Sequence, residues 1–320
     1  MAENEESKVK VAVFGHGFLG KWHAQKASVL ESSELTLIVE PNPEQHDSIR
    51  QSYPNAEVVE TFHGHEEKFE AAVLATPTST HYQLCRELLK ASKHVFCEKP
   101  VTSTYAEASE LKELIAEHLV FQVGHSERCH AVWERENLWR PFTQEAASFE
   151  FSRIAPFKGR ATDVDVVQDL MIHDIDLMLW LSGENPISVA AKGFKIRTDK
   201  WDHVEADFSF ASGKKARITV GRSHVVEERQ ARFINEFGVA ELDLMSEQIR
   251  SCARDAAPGP EGVDLIQLEK RDHLLIEQEY FYQSILEHSP PFVGIDDGAN
   301  AVYLVEKTLQ SLAQAQSIEL

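Results

Sequence analysis

The stretch VKVAVFGHGFLG, residues 9–20, holds a complete local fold in twelve letters. Val9 to Phe14 is a short apolar run rich in β-branched residues, and three glycines at GxGxxG spacing follow it directly, ahead of a segment of helical composition. The reading is a strand, a tight turn and a helix. In that pattern Gly15 makes the turn, Gly17 lets a pyrophosphate approach the backbone, and Gly20 lets the helix pack close to the strand. The helix N-terminus then faces the anion with unpaired amides. Phe18 and Leu19, inside the turn, share the same candidate surface.

A second apolar run, Leu35 to Val39, ends in Glu40, 20 residues past Gly20, where a carboxylate accepts hydrogen bonds from the adenosine ribose. Pro41, Asn42 and Pro43 supply no arginine for a 2′-phosphate, so the expected cofactor is NAD rather than NADP. An ordinary strand-end carboxylate is the alternative for Glu40. Further strands are expected at Ala56–Val59, Ala71–Ala75, His94–Cys97 and Leu119–Val123, with helices between several of them. This alternation predicts an α/β Rossmann domain with a doubly wound parallel sheet over residues 1–124. One helix is well marked: Thr104 and Glu107 have capping-box spacing, and Ala108, Leu111, Leu114 and Ile115 form an apolar stripe expected to be core.

Ligands of such sheets sit beyond the carboxyl ends of the strands. Two strand ends carry polar chemistry there. ATPTSTH, residues 75–81, offers Thr76, Pro77 and His81 to the nicotinamide half of a dinucleotide, although Thr78 to Thr80 can equally cap the next helix. Glu98-Lys99-Pro100 follows a nearly apolar strand, and Lys99 there can stabilise an alkoxide and lower the pKa of a substrate hydroxyl.

From Gly124 onward the pattern changes. Alternating runs at Ala147–Ile154, Val204–Phe210, Ala216–Val220 and Ala231–Phe237, with Gly213 and Gly238 in turns, predict an α+β domain with a largely antiparallel sheet over residues 125–320. Asp165 to Leu181 reads as one buried helix stopped by Gly183. On it, Asp169, His173 and Asp176 are spaced to share a face, and buried ionisable groups need partners or a purpose. His173 is read as the base and Asp169 as its orienting carboxylate. A satisfied core histidine and a metal ligand are the alternatives; no second His or Cys stands at a ligand spacing, so no metal is expected, and His63 and His65 read as loop residues. Amphipathic helices at Asp272–His288 and Gly298–Ala315 place Leu304, Leu309 and Leu312 in packing roles, with the C-terminal helix expected to return to the first domain.

The rest of the sequence narrows the class. Of the 320 residues 52 are acidic and 32 basic, and a formal charge of −20 disfavours nucleic acid and anionic membrane as partners. Cys85, Cys97, Cys129 and Cys252 show no CxxC spacing and suit a reducing cytoplasm. The polar amino-terminal stretch, Met1 to Lys10, predicts neither export nor anchoring. An exposed sheet face would suit a homodimer or homotetramer.

GHGFLG, ATPTSTH, EKP and DLMIHDID, in this order along nearly the whole chain, resemble the glucose–fructose oxidoreductase and inositol dehydrogenase (Gfo/Idh/MocA) family. The resemblance implies catalytic roles for Lys99, Asp169 and His173, a cofactor surface that includes Glu98 and Lys99, and a cis Lys99–Pro100 peptide. The family often has glycine where this chain has Met171, which implies a reshaped substrate pocket. VGHSER, residues 123–128, and DLMIHD resemble bacterial members that oxidise the 3-hydroxyl of UDP-N-acetylglucosamine, although Cys129 and His130 stand where those continue with Phe and Asn. An anionic nucleotide sugar needs cations, for which Arg128, Arg153, Lys158 and Arg160 are the candidates, alongside Lys99, Asp169 and His173. An inositol or free-sugar dehydrogenase, and a dinucleotide-binding regulator without turnover, are the competing functions.

Overall fold

A computed structural model describes residues 8–320; the first seven residues of the polar amino-terminal stretch lie outside the described residues. The described residues divide into two compact units, one up to residue 126 with 272–302, and the other 127–271 with 303–320.

In the first unit the strands are β1 (Val9–Phe14), β2 (Ser33–Val39), β3 (Glu57–Val59), β4 (Ala71–Leu74), β5 (His94–Glu98) and β6 (Phe121–Gly124). The helices between them are α1 (Gly20–Val29), α2 (His46–Ser52), α3 (Thr78–Lys90) and α4 (Tyr105–Leu114). All strands are parallel, in the order β3-β2-β1-β4-β5-β6. Connections leave β1 toward β2 on one side and reach β4 on the other, so the strand order reverses between β1 and β4, where open α/β sheets bind ligands. The strands read as unbroken apolar runs because both faces of a parallel sheet are covered, and every residue of β4 is fully buried.

The capping box at Thr104 and Glu107 is formed by both of its hydrogen bonds. The apolar stripe beyond it is shorter than expected: Ala108 and Leu111 are buried, but the helix ends at Leu114, which is exposed, and Ile115 is already extended. Helix α5 (Glu136–Trp139) and α6 (Ile172–Ser182) belong to the second unit. Helix α7 (His273–Glu287) returns to the first, where Phe281, Tyr282 and Ile285 join the core formed by α1, β1 and β5. Asp272 caps α7 through the Leu275 amide. Helix α8 (Ile295–Gln314) starts three residues before the expected Gly298, and Leu304 and Leu312 on it are buried.

The second unit is built on nine strands: β7 (Ser148–Ile154), β8 (Pro186–Phe194), β9 (His203–Phe210), β10 (Lys215–Gly221), β11 (Glu228–Asn235), β12 (Gly238–Asp243), β13 (Gln248–Ala253), β14 (Asp264–Gln267) and β15 (Ile318–Glu319). Their order is β14-β13-β12-β11-β7-β10-β9-β8-β15, and only the β7–β10 pair is parallel. The sheet is therefore mixed and mostly antiparallel. The expected strand ending at Phe237 stops at Asn235, because the Asn235 side chain accepts the Phe237 amide and closes the turn into β12. Gly238 follows with φ 141° and lies so close to Cys252 that a side chain there would strike its carbonyl.

The buried helix is not one regular helix. Residues Val167–Met171 form a π-turn, the regular α6 begins at Ile172, and Gly183 ends it with φ 68°. Such wide turns interrupt the i→i−4 ladder and recur at functional sites. Helix α6 packs against β7 and β10, which accounts for its apolar composition all round.

Candidate active site

In the first unit the glycine turn is locked by geometry. Gly15 has φ 81°, its amide bonds Val39, and a side chain on it would collide with the Ala75 carbonyl at the end of β4. A side chain on Gly20 would lie 2.0 Å from the Gly15 carbonyl, so the start of α1 and the turn can touch only through glycine. Around Gly17 no atom lies within 4 Å of a would-be Cβ. That open space is what a pyrophosphate approaching the backbone requires, and the residues fit a dinucleotide. Phe18, highly exposed, lies beside it with Lys21 over its ring.

Glu40 sits at the end of β2. Its oxygens accept the His16 amide at 2.8 Å and the Asn42 amide at 3.0 Å. Each oxygen keeps a second lone pair for a ribose hydroxyl. The His16 ring stands edge-on to Tyr53, and burial lowers its pKa from the usual histidine value.

The turn after β4 and the loop after β5 are joined by a residue expected at the cofactor. His81 is buried instead, and its ring nitrogens lie 2.9 Å from the carbonyls of Thr76 and Pro100. It ties two loops together. Thr80 bonds the Thr76 hydroxyl and the Pro77 carbonyl, so this threonine braces the turn. Glu98 also turns inward: His23 Nε2 donates to it at 2.7 Å, and the Lys99 amide bonds its other oxygen. Gln278 donates to His23 Nδ1 and accepts from the Tyr282 hydroxyl, which fixes the His23 ring with its proton toward Glu98. Sequence spacing held no signal for this cluster, because Gln278 and Tyr282 come from α7. A buried triplet of potential metal ligands, His23, Glu98 and Glu277, occurs here, and the His23–Glu98 hydrogen bond accounts for the approach of two of them. Lys99 stands half-buried at the end of β5, and its peptide to Pro100 is cis, as the family resemblance implies.

In the second unit Asp169, on the π-turn, lines a cleft of about 90 Å³ with Leu170 and Met245. Met171, expected to reshape that pocket, is fully buried and is not among the lining residues. His173 is half-buried one turn on, and in its protonated form it helps hold down the pKa of Glu127. Asp176 does not share the cleft. It is buried in a two-pronged pair with Arg128, at 2.9 and 2.6 Å, beneath the Trp180 ring.

Arg128 and Arg153, named as candidate substrate cations, are both buried, and of the two only Arg153 lines the cleft. Arg153 is buried against Asp174, at 3.0 and 2.8 Å, and Glu127, at 3.1 Å. Glu127 further accepts from Arg229 at 2.9 Å and lies 3.0 Å from His130 Nε2. Burial alone would raise the Glu127 pKa, but Arg153, His130 and Arg229 hold it well below the usual carboxylate range. Burial likewise works against charge on His130, yet Glu127 and Glu247, on its two sides, raise its pKa. Lys158 and Arg160 do line the cleft, Lys158 paired with Glu227.

Two further residues position this wall. Asp202 accepts from the amides of Ile196, Arg197 and Thr198 and from Arg222 Nε at 2.7 Å, and the Arg222 guanidinium also bonds the carbonyls of Ala161 and Val164. The segment entering the π-turn is thereby tied to β10. Their long sequence separation hid both from pattern reading.

Comparison with known proteins agrees with this geometry. Residues 9–125 match the oxidoreductase family with an NAD-binding Rossmann fold, and residues 146–240 match the GFO/IDH/MocA C-terminal domain. A UDP-N-acetylglucosamine 3-dehydrogenase from Acidithiobacillus ferrooxidans is 32% identical over 294 residues, 89% of this chain and 91% of that protein. A solved structure of that organism's enzyme GnnA superposes with a TM-score of 0.87 at 29% identity, covering 96% of this chain and 99% of its own. An inositol 2-dehydrogenase from Rhizobium meliloti is 24% identical over 332 residues, 98% of this chain and 99% of that protein. The chain belongs to the Gfo/Idh/MocA family of oxidoreductases, and it is a dehydrogenase of that family.

Proposed function

We propose that the protein oxidises the 3-hydroxyl of UDP-N-acetylglucosamine, or of a related nucleotide sugar, with NAD as the electron acceptor. The observation that carries the substrate is the 32% identity to a UDP-N-acetylglucosamine 3-dehydrogenase along 89% of the chain. Gly15, Gly17, Phe18, Leu19 and Gly20 would hold the pyrophosphate with the first amides of α1, Glu40 the ribose, and Thr76 and Pro77 the nicotinamide half. The Glu40 carboxylate would repel a 2′-phosphate, which favours NAD over NADP. NAD, when bound, supplies the hydride acceptor.

The chain's own residues handle the proton and the charge. His173 takes the hydroxyl proton at an imidazole nitrogen, and Asp169 orients the ring and stabilises its charged form. The Lys99 ammonium lowers the hydroxyl pKa and steadies the alkoxide as it forms. The four cysteines are unbridged, which suits work in a reducing cytoplasm, and the paired strands of the large sheet suit a homodimer or homotetramer. Among the described residues no helix is long and apolar enough to cross a membrane.

The test is NADH formation from NAD and UDP-N-acetylglucosamine, with an aminotransferase and glutamate coupled to pull the equilibrium. NADH is expected with the nucleotide sugar. Silence there with a signal from inositol, the substrate named for the Rhizobium relative, would replace the substrate and keep the chemistry. Silence with every sugar despite tight NAD binding would replace turnover by regulation.

A further inference from the structure

The arginines around the Asp169 cleft differ in how completely their donors are used. Arg153 makes three hydrogen bonds to carboxylates and Arg222 makes four, to Asp202, to Thr198 and to two carbonyls. Arg229 makes one, from Nη1 to Glu127, although a guanidinium carries five donors. Arg160, exposed on the loop after β7, makes no ion pair among the described residues. Both Arg229 and Arg160 line the cleft that holds Asp169.

The sheet register adds an independent point. Arg229 on β11 stands directly opposite Arg153 on β7. Like charges in facing positions are unfavourable, and Glu127 is shared between both arginines and His130, while Asp174 hydrogen-bonds Arg153 and not Arg229. Burial and the neighbouring Arg153 accordingly lower the Arg229 pKa from its ordinary value. Glu127, Asp174 and Glu227 relieve this only in part. Glu227 is taken by Lys158, and Glu228, adjacent to Arg229 on a strand, borders both this cleft and the groove that holds Gln230 and Arg232. A chain of charge −20 thus concentrates two under-used guanidiniums beside its candidate catalytic carboxylate.

We infer that Arg229, with Arg160, forms an anion subsite for the diphosphate of the substrate and selects a nucleotide sugar over a neutral polyol. This rests on the nucleotide-sugar reading above and names the residues that would enforce it. Guanidinium forks match phosphate oxygens in pairs, and the anion would complete the donors that Glu127 leaves unmet.

The test measures UDP binding by calorimetry, with inorganic phosphate as the comparison ligand, and the kinetics of UDP-N-acetylglucosamine oxidation, in wild type, Arg229→Gln and Arg229→Lys. Thermal melting and NAD binding verify that each variant is folded. In Arg229→Gln, UDP binding is expected to weaken by about 10- to 100-fold, the range of a lost charge-assisted bond. KM should rise with little change in kcat, because the anchor acts equally on ground and transition states. Arg229→Lys should recover part of the affinity. UDP affinity unchanged in Arg229→Gln, UDP binding no tighter than inorganic phosphate, or no UDP binding to wild type would each overturn the subsite. Oxidation of the nucleotide sugar with a KM unaffected by Arg229→Gln would keep the substrate and remove the role of Arg229. Arg229-dependent UDP binding without oxidation would keep the subsite and remove the reaction.

Discussion

Each unit buries a carboxylate beside a residue proposed to act on the substrate, and the two are held by opposite means. Glu98, next to Lys99, is fixed by hydrogen bonds from a histidine whose ring is set by Gln278, in turn set by Tyr282. Glu127, which feels the charge of His173, is fixed by ions: Arg153, Arg229 and His130 surround it, with Asp174 and Glu247 behind them. The first arrangement depends on direction, a chain of hydrogen bonds that runs from Tyr282 through Gln278 and His23 to Glu98. The second depends on balance, since Glu127, Arg153, Asp174 and His130 have been taken out of water and each needs an opposite. Rigidity near the chemistry is thus reached through a directed hydrogen-bond chain in one unit and through interlocked guanidinium–carboxylate pairs in the other.

The sharpest way to break this comparison is to remove one charge from the second cluster. Arg153→Met leaves Asp174 and Glu127 short of a partner in the interior, and a loss of about 3–5 kcal/mol in unfolding free energy is expected by denaturant titration. A loss below 1 kcal/mol would show that the cluster relaxes toward water. Lys99→Ala and His173→Ala test the residues that the clusters support: each should cut turnover by about 10²-fold with NAD binding intact, and wild-type turnover in both would sink the assignment.

A smaller effect is expected in the first cluster. Gln278→Met keeps the volume but unpairs His23 Nδ1 and the Tyr282 hydroxyl, for a cost of about 1–3 kcal/mol by the same titration. A cost equal to that of Arg153→Met would erase the distinction between the clusters.

The mildest probe is pH. The Glu127 pKa is lowered by folding, so its contribution is present above the ordinary value of 4.5 and is lost as pH falls toward its folded pKa. The His130 pKa is raised, so its contribution is full below the ordinary value of 6.5 and is lost as pH rises through the folded pKa. These two groups favour a melting temperature highest between about pH 4.5 and 6.5, whereas Asp174, whose pKa burial raises, costs stability as pH rises toward its folded value. His130→Asn should flatten the alkaline side of that curve; an unchanged alkaline slope would remove His130 from the balance.

The parts of the site legible in the sequence are those made by neighbours along the chain. The glycine turn, Glu40 at the end of β2, Lys99 at the end of β5 and the Asp169–His173 spacing are all local, because strand ends and helical periodicity set which side chains can meet over a few residues. For His81, Glu98, Arg128 and Arg153 the sequence left the internal partners unseen for one shared reason. A polar residue beside a functional motif looks like a ligand contact, and only long-range partners reveal that it is buried and engaged. The π-turn at Val167–Met171 left no sequence mark either, since one residue wound wide keeps the same apolar composition.

The sequence by itself determined the alternation that makes a parallel sheet, the turn that only glycine can make, and the capping and stop signals of individual helices, because these depend on sterics and hydrogen bonds within a few residues. Tertiary structure alone decided which charges face the cleft. Arg229 and Arg153 are 76 positions apart in the chain and opposite each other in the sheet, and whether a guanidinium is spent on a carboxylate or left for a ligand depends on what the fold brings to its other side.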